Sequence, residues 1–183
     1  HIDPSIDTFH EINTDLVLER IYELYDFCFQ EAERYNKEII FEIGTEEQSG
    51  STNTPEELEY TVEKIKIFCE KNKFPKPSFV VIQSGTRVVE MRNVGSFDSD
   101  IRVKNELASE IQVPRMIEIC EKNGIWMKAH NTDYVSNEGL KSHPKLGIHA
   151  VNIAPEFGVI ETRALIEAFT HSAMYKERDD FLY

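Results

Sequence analysis

The chain has 183 residues, 40% of them apolar and 10% aromatic, enough for one domain (1–183) with a substantial core. Its formal charge of −13 and isoelectric point near 4.9 argue against a nucleic acid or an anionic membrane as partner, because both repel such a field, whereas a small phosphorylated molecule is read by local charge alone. No run of about 20 apolar residues is present to cross a bilayer, no signal peptide opens the chain, and Cys28, Cys69 and Cys120 are widely spaced without a C-x-x-C pair. Buried free thiols and a cytoplasmic setting are therefore expected.

The chain opens on "HIDPSID", which reads as the end of a strand. A helix is predicted from Thr14 to Tyr35, with Leu16, Ile21, Leu24 and Cys28 on its apolar side. The apolar run "EIIFEIG" (38–44) follows as a strand. Thr54, Pro55 and Glu57 then announce a helix N-terminus by cap, first-turn proline and capping box. In that helix Leu58, Val62, Ile65 and Cys69 recur at helical spacing. "SFVVIQSG" (78–85) is the next strand. Helical spacing returns from Val103 to Lys122, with a break expected at Val113-Pro114 and closure at Gly124. The strands "IWMKAH" (125–130) and "GIHAVNIA" (147–154) come next, and a last helix opens near Phe157 and passes through Leu165 and Phe169.

Short, nearly continuous apolar strands alternating with helices predict an α/β fold with a parallel sheet. Five strands fall short of the eight, over about 250 residues, of a closed barrel. The expected architecture is thus a partial TIM-type (β/α)8 barrel, with an open doubly wound sheet as the alternative; both place ligands at the carboxyl ends of their strands.

Polar residues collect at those ends: Asp3 after Ile2, Thr45 and Glu46 after Gly44, Gln83 to Gly85 after Ile82, His130 to Asp133 after Ala129, and Asn152 with Glu156 about the last strand. In a parallel barrel these positions converge on one face. Strand parity puts Lys128 on the side of His130 and Glu42 on the side of Glu46. An inward Lys128 requires an ion pair with Glu42 or a lowered pKa that suits it to Schiff-base chemistry. His130 is the first candidate for catalysis, since an imidazole moves protons near neutral pH or binds a divalent cation. Asp133 either orients His130 or caps the helix that follows. Glu46 reads as a general base, a metal ligand or a solvated loop carboxylate. Arg87 and Arg92 are the cations nearest a strand mouth, able to clamp a phosphate or to face water, whereas Glu156 and Glu161 weaken the last helix as an anion site. His10, His143, His149 and His171 show no partner spacing and read as surface or packing residues.

The stretches "FEIGTE" and "KAHNTDY", above all Gly44-Thr45-Glu46, Ala129-His130 and Thr132-Asp133-Tyr134, resemble the tagatose-bisphosphate aldolase Z-subunit family, related to the class II, metal-dependent aldolase barrels. "HID" and "VIQSG" match it more weakly. The resemblance spans nearly the whole chain but only the family's fourth to eighth strands. It implies aldol cleavage of a phosphorylated ketose, with zinc acting as Lewis acid. His130 then stands at a metal-ligand position, and Asp3, Gln83, Asn152, Arg87 and Lys128 are substrate-binding candidates. A second ligand histidine is missing after the "VVI" strand, where Gln83, Ser84 and Gly85 stand, and one histidine is not a zinc site. The resemblance also implies a catalytic aldolase subunit, or a second copy, as partner, which leaves two further readings open. One is a non-catalytic stabilising subunit. The other is a sugar epimerase on the same barrel, with Glu46 and His130 as proton carriers.

Overall fold

A computed structural model describes residues 1–6, 13–45, 54–95, 97 and 108–182. It divides into two compact units, His1–Asn152 and Ile153–Tyr183. No described helix is long and apolar enough to cross a membrane.

In the first unit, α1 (Thr14–Arg34) is capped by the Asn13 side chain, which accepts the Leu16 N–H. Its buried stripe runs through Val17, Leu18, Ile21 and Tyr25, so of the predicted face Leu16, Ile21, Leu24 and Cys28, Ile21 is buried and Cys28 packs on the core, while Leu24 does not. Leu24 is exposed and Tyr25 is buried in its place. The reason is that the Tyr25 hydroxyl donates to the Pro75 carbonyl at 2.6 Å and its ring stacks on Phe41 at 3.7 Å. With its one polar atom satisfied, a tyrosine packs as a large apolar body.

After β1 (Glu42–Gly44), α2 (Pro55–Asn72) starts as its sequence announces. Thr54 and Glu57 form the capping box, and Leu58, Val62, Ile65 and Cys69 are buried. Strand β2 (Phe79–Ile82) is followed by a feature the apolar pattern did not predict, a small antiparallel hairpin of β3 (Val88–Val89) and β4 (Arg92–Asn93). Helix α3 (Ser109–Asn123) runs through Pro114 without the expected break. A proline near a helix start deletes one hydrogen bond, and Val113, Met116, Ile117 and Cys120, buried on both sides of it, hold the helix to the core. The residues expected to begin this helix, 103–107, lie outside the described ones. Gly124 closes α3 at a φ of 61°. Strand β5 (Trp126–Ala129), α4 (Asn137–Leu146, capped by Ser136) and β6 (Ala150–Val151) complete the unit.

The sheet is parallel throughout, in the order β1-β2-β5-β6, and Ile2 adds a parallel bridge to Ile43 at the β1 edge. Strands thus follow one another in sequence order. A doubly wound sheet reverses its order at a switch point, and no reversal occurs among the described strands.

Register sorts the two faces. Ile2, Ile43, Val80, Ile82, Met127 and Ala129 point one way and are buried in the core shared with α1, α2 and α3. Each such side chain contributes about 1.5–3 kcal/mol on leaving water. The opposite face carries Glu42, Phe79, Val81, Lys128 and Ala150, with His1, Asp3, Gln83, His130 and Asn152 continuing the alternation beyond the paired residues. Trp126, also on this face, is 54% exposed.

The second unit consists of α5 (Pro155–His171), with the predicted helix start, and α6 (Tyr175–Leu182). Phe169 meets Phe181 with ring centroids 6.0 Å apart, and none of the described residues of either helix is buried.

Candidate functional site

Glu42 is the centre of the polar face. Its Oε1 accepts from Nδ1 of His1 at 2.7 Å and from Nζ of Lys128 at 3.1 Å, while Oε2 accepts from the same Nζ at 3.0 Å. Both Glu42 and Lys128 are about four-fifths covered, with 19% and 21% of their side chains exposed. The Glu42–Lys128 ion pair anticipated from strand parity therefore exists. Asp3 lies beside it, its Oδ2 4.0 Å from Nε2 of His1 and its Oδ1 accepting the main-chain N–H and hydroxyl of Ser5 at 3.0 and 2.5 Å.

His130 stands one residue beyond β5, where its N–H donates to the Ile82 carbonyl at 3.0 Å and prolongs the sheet ladder. Its ring faces Asn152, whose Nδ2 lies 3.4 Å from Nδ1. Asn152 also holds the loop by its main chain, since its carbonyl accepts the N–H of Thr132 at 3.0 Å and the Thr132 hydroxyl at 2.5 Å.

The loop after β5 is stapled to the loop after β2 as well. The buried Thr86 hydroxyl donates to the His130 carbonyl. Nδ2 of Asn93, at the end of β4, donates to the carbonyls of Asn131 and Asp133, both at 2.9 Å. Oδ1 of Asn93 accepts the N–H groups of Arg87 and Gly95, both at 3.2 Å. Asn131 and Tyr134 take left-handed backbone angles, φ 51° and 58°, which cost energy unless the surroundings fix them. Neither Asn93 nor Thr86 was found from the sequence. The signal for Asn93 was "NVG", an asparagine two residues before a glycine, which marks a side chain that bonds its own turn.

Of the residues read as functional from sequence, Asp3 and Lys128 cluster with Glu42 and His1, and His130 and Asn152 meet at the ends of β5 and β6. Gln83 has no exposed surface, and its Oε1 lies 3.5 Å from the Thr86 hydroxyl. Asp133 is also buried, and the cap that was its other reading belongs to Ser136. Arg87 and Arg92 are exposed, and Arg92 lies 3.8 Å from Glu90. His143 is buried against Phe97, His149 stacks on Trp126 and His171 is exposed. Glu46 and His10 lie outside the described residues.

Among the described residues no group of three or more His, Cys, Asp and Glu side chains is arranged to hold a metal ion. Glu46, read from sequence as a possible metal ligand, lies outside those residues. Cys69 and Cys120 are buried free thiols and Cys28 is a partly buried one. Burial pushes the Cys120 thiol up to about 12, with Glu121 adding to the shift, and raises Cys69 as well. Such thiols are inert rather than nucleophilic.

The fold and these positions define a parallel α/β protein with its polar side chains gathered on one sheet face and at the strand ends. No protein-family model and no curated protein sequence matches the chain. Solved structures do. The glycerol-complexed crystal structure of fructuronate-tagaturonate epimerase UxaE from Cohnella laeviribosi matches with a TM-score of 0.53 at 13% identity, over 90% of this chain and 31% of that one. The native crystal structure of the same epimerase gives 0.49 at 11% identity, over 88% and 34%. The chain thus spans about a third of the length of these proteins, and the likeness is one of fold.

Proposed function

We propose that this chain is the fourth-to-eighth-strand part of a (β/α)8 barrel that epimerises a carbohydrate by proton transfer, His130 being one of the proton carriers. The carrying observation is the Asn152–His130 contact at the strand mouths, beside a sheet face lined by Asp3, Glu42 and Lys128. Sequential parallel order, with one face apolar under helices and the other carrying Glu42 and Lys128 among apolar residues, supports the barrel. The fold likeness to a sugar-acid epimerase supports the reaction class over aldol cleavage.

In this mechanism a base removes the proton from a carbon next to a carbonyl, and the electron pair moves onto the carbonyl oxygen. A proton returned to the opposite side of that carbon restores the carbonyl with inverted stereochemistry. His130 delivers the proton from its imidazolium form and is left as neutral imidazole, while the base is left protonated; exchange of both with water restores the starting state. Glu46 is the base in this reading. Lys128 and Asp3, on the polar face, hydrogen-bond sugar oxygens.

The test uses the full-length protein with 2-ketoses, keto sugar acids and a ketose bisphosphate in deuterated water, reading deuterium and configuration at the carbon next to the carbonyl. Solvent deuterium entering the uncleaved sugar is expected, falling about 100-fold or more in His130→Ala. Cleavage to two smaller carbonyl compounds would replace this reading by the aldolase one. If turnover appears only after a separate aldolase subunit is added, the chain is a stabilising partner.

A further inference from the structure

The Asn93 side chain uses its full hydrogen-bonding capacity on main-chain groups of two loops. Its two amide hydrogens go to the carbonyls of Asn131 and Asp133, the residues that flank Thr132, and its oxygen takes the N–H groups of Arg87 and Gly95. A carboxamide offers two donors and two acceptor sites, so no capacity is left over for a ligand. Gly95 is tied into the same knot, because a Cβ there would lie 2.2 Å from the Gly85 carbonyl oxygen and 2.6 Å from Cα of Thr86. Thr86 in turn donates to the carbonyl of His130 itself.

We infer that Asn93 is a positioning residue, which transmits the rigidity of the β3–β4 hairpin to the His130 loop and so fixes the imidazole against Asn152. The inference rests on the reading of His130 as a proton carrier. Its physical basis is that Asn131 and Tyr134 sit at positive φ, a conformation that relaxes unless its carbonyls are held. Aspartate cannot replace Asn93, since its oxygens would face two carbonyls with no hydrogen to give. Serine keeps a single donor.

The experiment is histidine-labelled NMR on the full-length protein, comparing wild type with Asn93→Ala and Asn93→Ser, and with Thr54→Ala as a variant destabilised far from the loop in sequence. The expected result is a shifted and broadened His130 ring in both Asn93 variants, with no such change in Thr54→Ala. In turnover, kcat falls about 10-fold to 100-fold with KM within about twofold, as expected for a misplaced catalytic group. Should Asn93→Ala not fold, Asn93→Ser carries the test. Ring signals identical to wild type in the folded variants overturn the inference. A displaced ring, in a protein whose His130→Ala variant still exchanges deuterium, overturns instead the proton-carrier role and leaves the positioning intact.

Discussion

Lys128 reaches across β2 to Glu42, its Nζ 3.1 and 3.0 Å from the two carboxylate oxygens. Glu42 is in register with Phe79 and Lys128 with Val81, so the bridge crosses β2 between those two side chains. Val81 is fully buried although it points away from the helices. Nδ1 of His1 meets the same carboxylate, so three chain segments share one charge centre.

Removing one partner of this pair leaves the other charge mostly covered. Lys128→Met is expected to lower stability by about 1–3 kcal/mol, between exposed and fully buried pairs. Glu42→Gln combined with Lys128→Met recovers part of the loss. Urea unfolding of the two single variants and the double variant measures the coupling. Additive losses would show that the contact contributes nothing.

Gly95 packs its α-carbon against main chain, and main chain cannot swing aside as a side-chain tip can. Gly95→Ala should therefore cost about 1–3 kcal/mol or more. Its signature is local, in faster amide exchange at Arg87 and His130, whose N–H groups bond Asn93 and Ile82. Unchanged exchange at both amides would contradict this packing.

The buried Cys120 thiol makes stability fall in alkali. Its folded-state pKa, about 12, lies above the ordinary thiol value of 9.0, with burial the first cause and Glu121 the second. Below pH 9 both folded and unfolded chains keep the proton and the contribution is fully present. Between 9 and 12 the unfolded chain loses it while the folded one retains it, so stability declines by about 1.4 kcal/mol per pH unit. Cys120→Ala should flatten this part of the profile, as read by unfolding midpoints from pH 8 to 10.5. An equal slope in the variant would assign the effect to other groups.

Local signals in the sequence reached the helix ends and the positions of the strands. Thr54, Pro55 and Glu57 define a helix start by their own hydrogen bonds, and Gly124 a helix stop by its backbone freedom, so neither needs the rest of the chain. The Glu42–Lys128 pair was also legible, because period-two alternation puts both on one side of the sheet and a covered charge needs a partner. The buried face of α1 was not, because the choice between Leu24 and Tyr25 depends on whether a distant carbonyl, that of Pro75, accepts the tyrosine hydroxyl. The passage of α3 through Pro114 depended on tertiary packing in the same way.

What the sequence determined alone was the list of polar residues at strand ends and the parallel α/β pattern that carries them. Tertiary structure decided which of them meet. It set His130 on Asn152 and Lys128 on Glu42, buried Gln83, and brought in Asn93 and Thr86 from the loop after β2. The physical reason is that alternation and capping act within a few residues, whereas a hydrogen bond between two loops exists only once the sheet has fixed their separation.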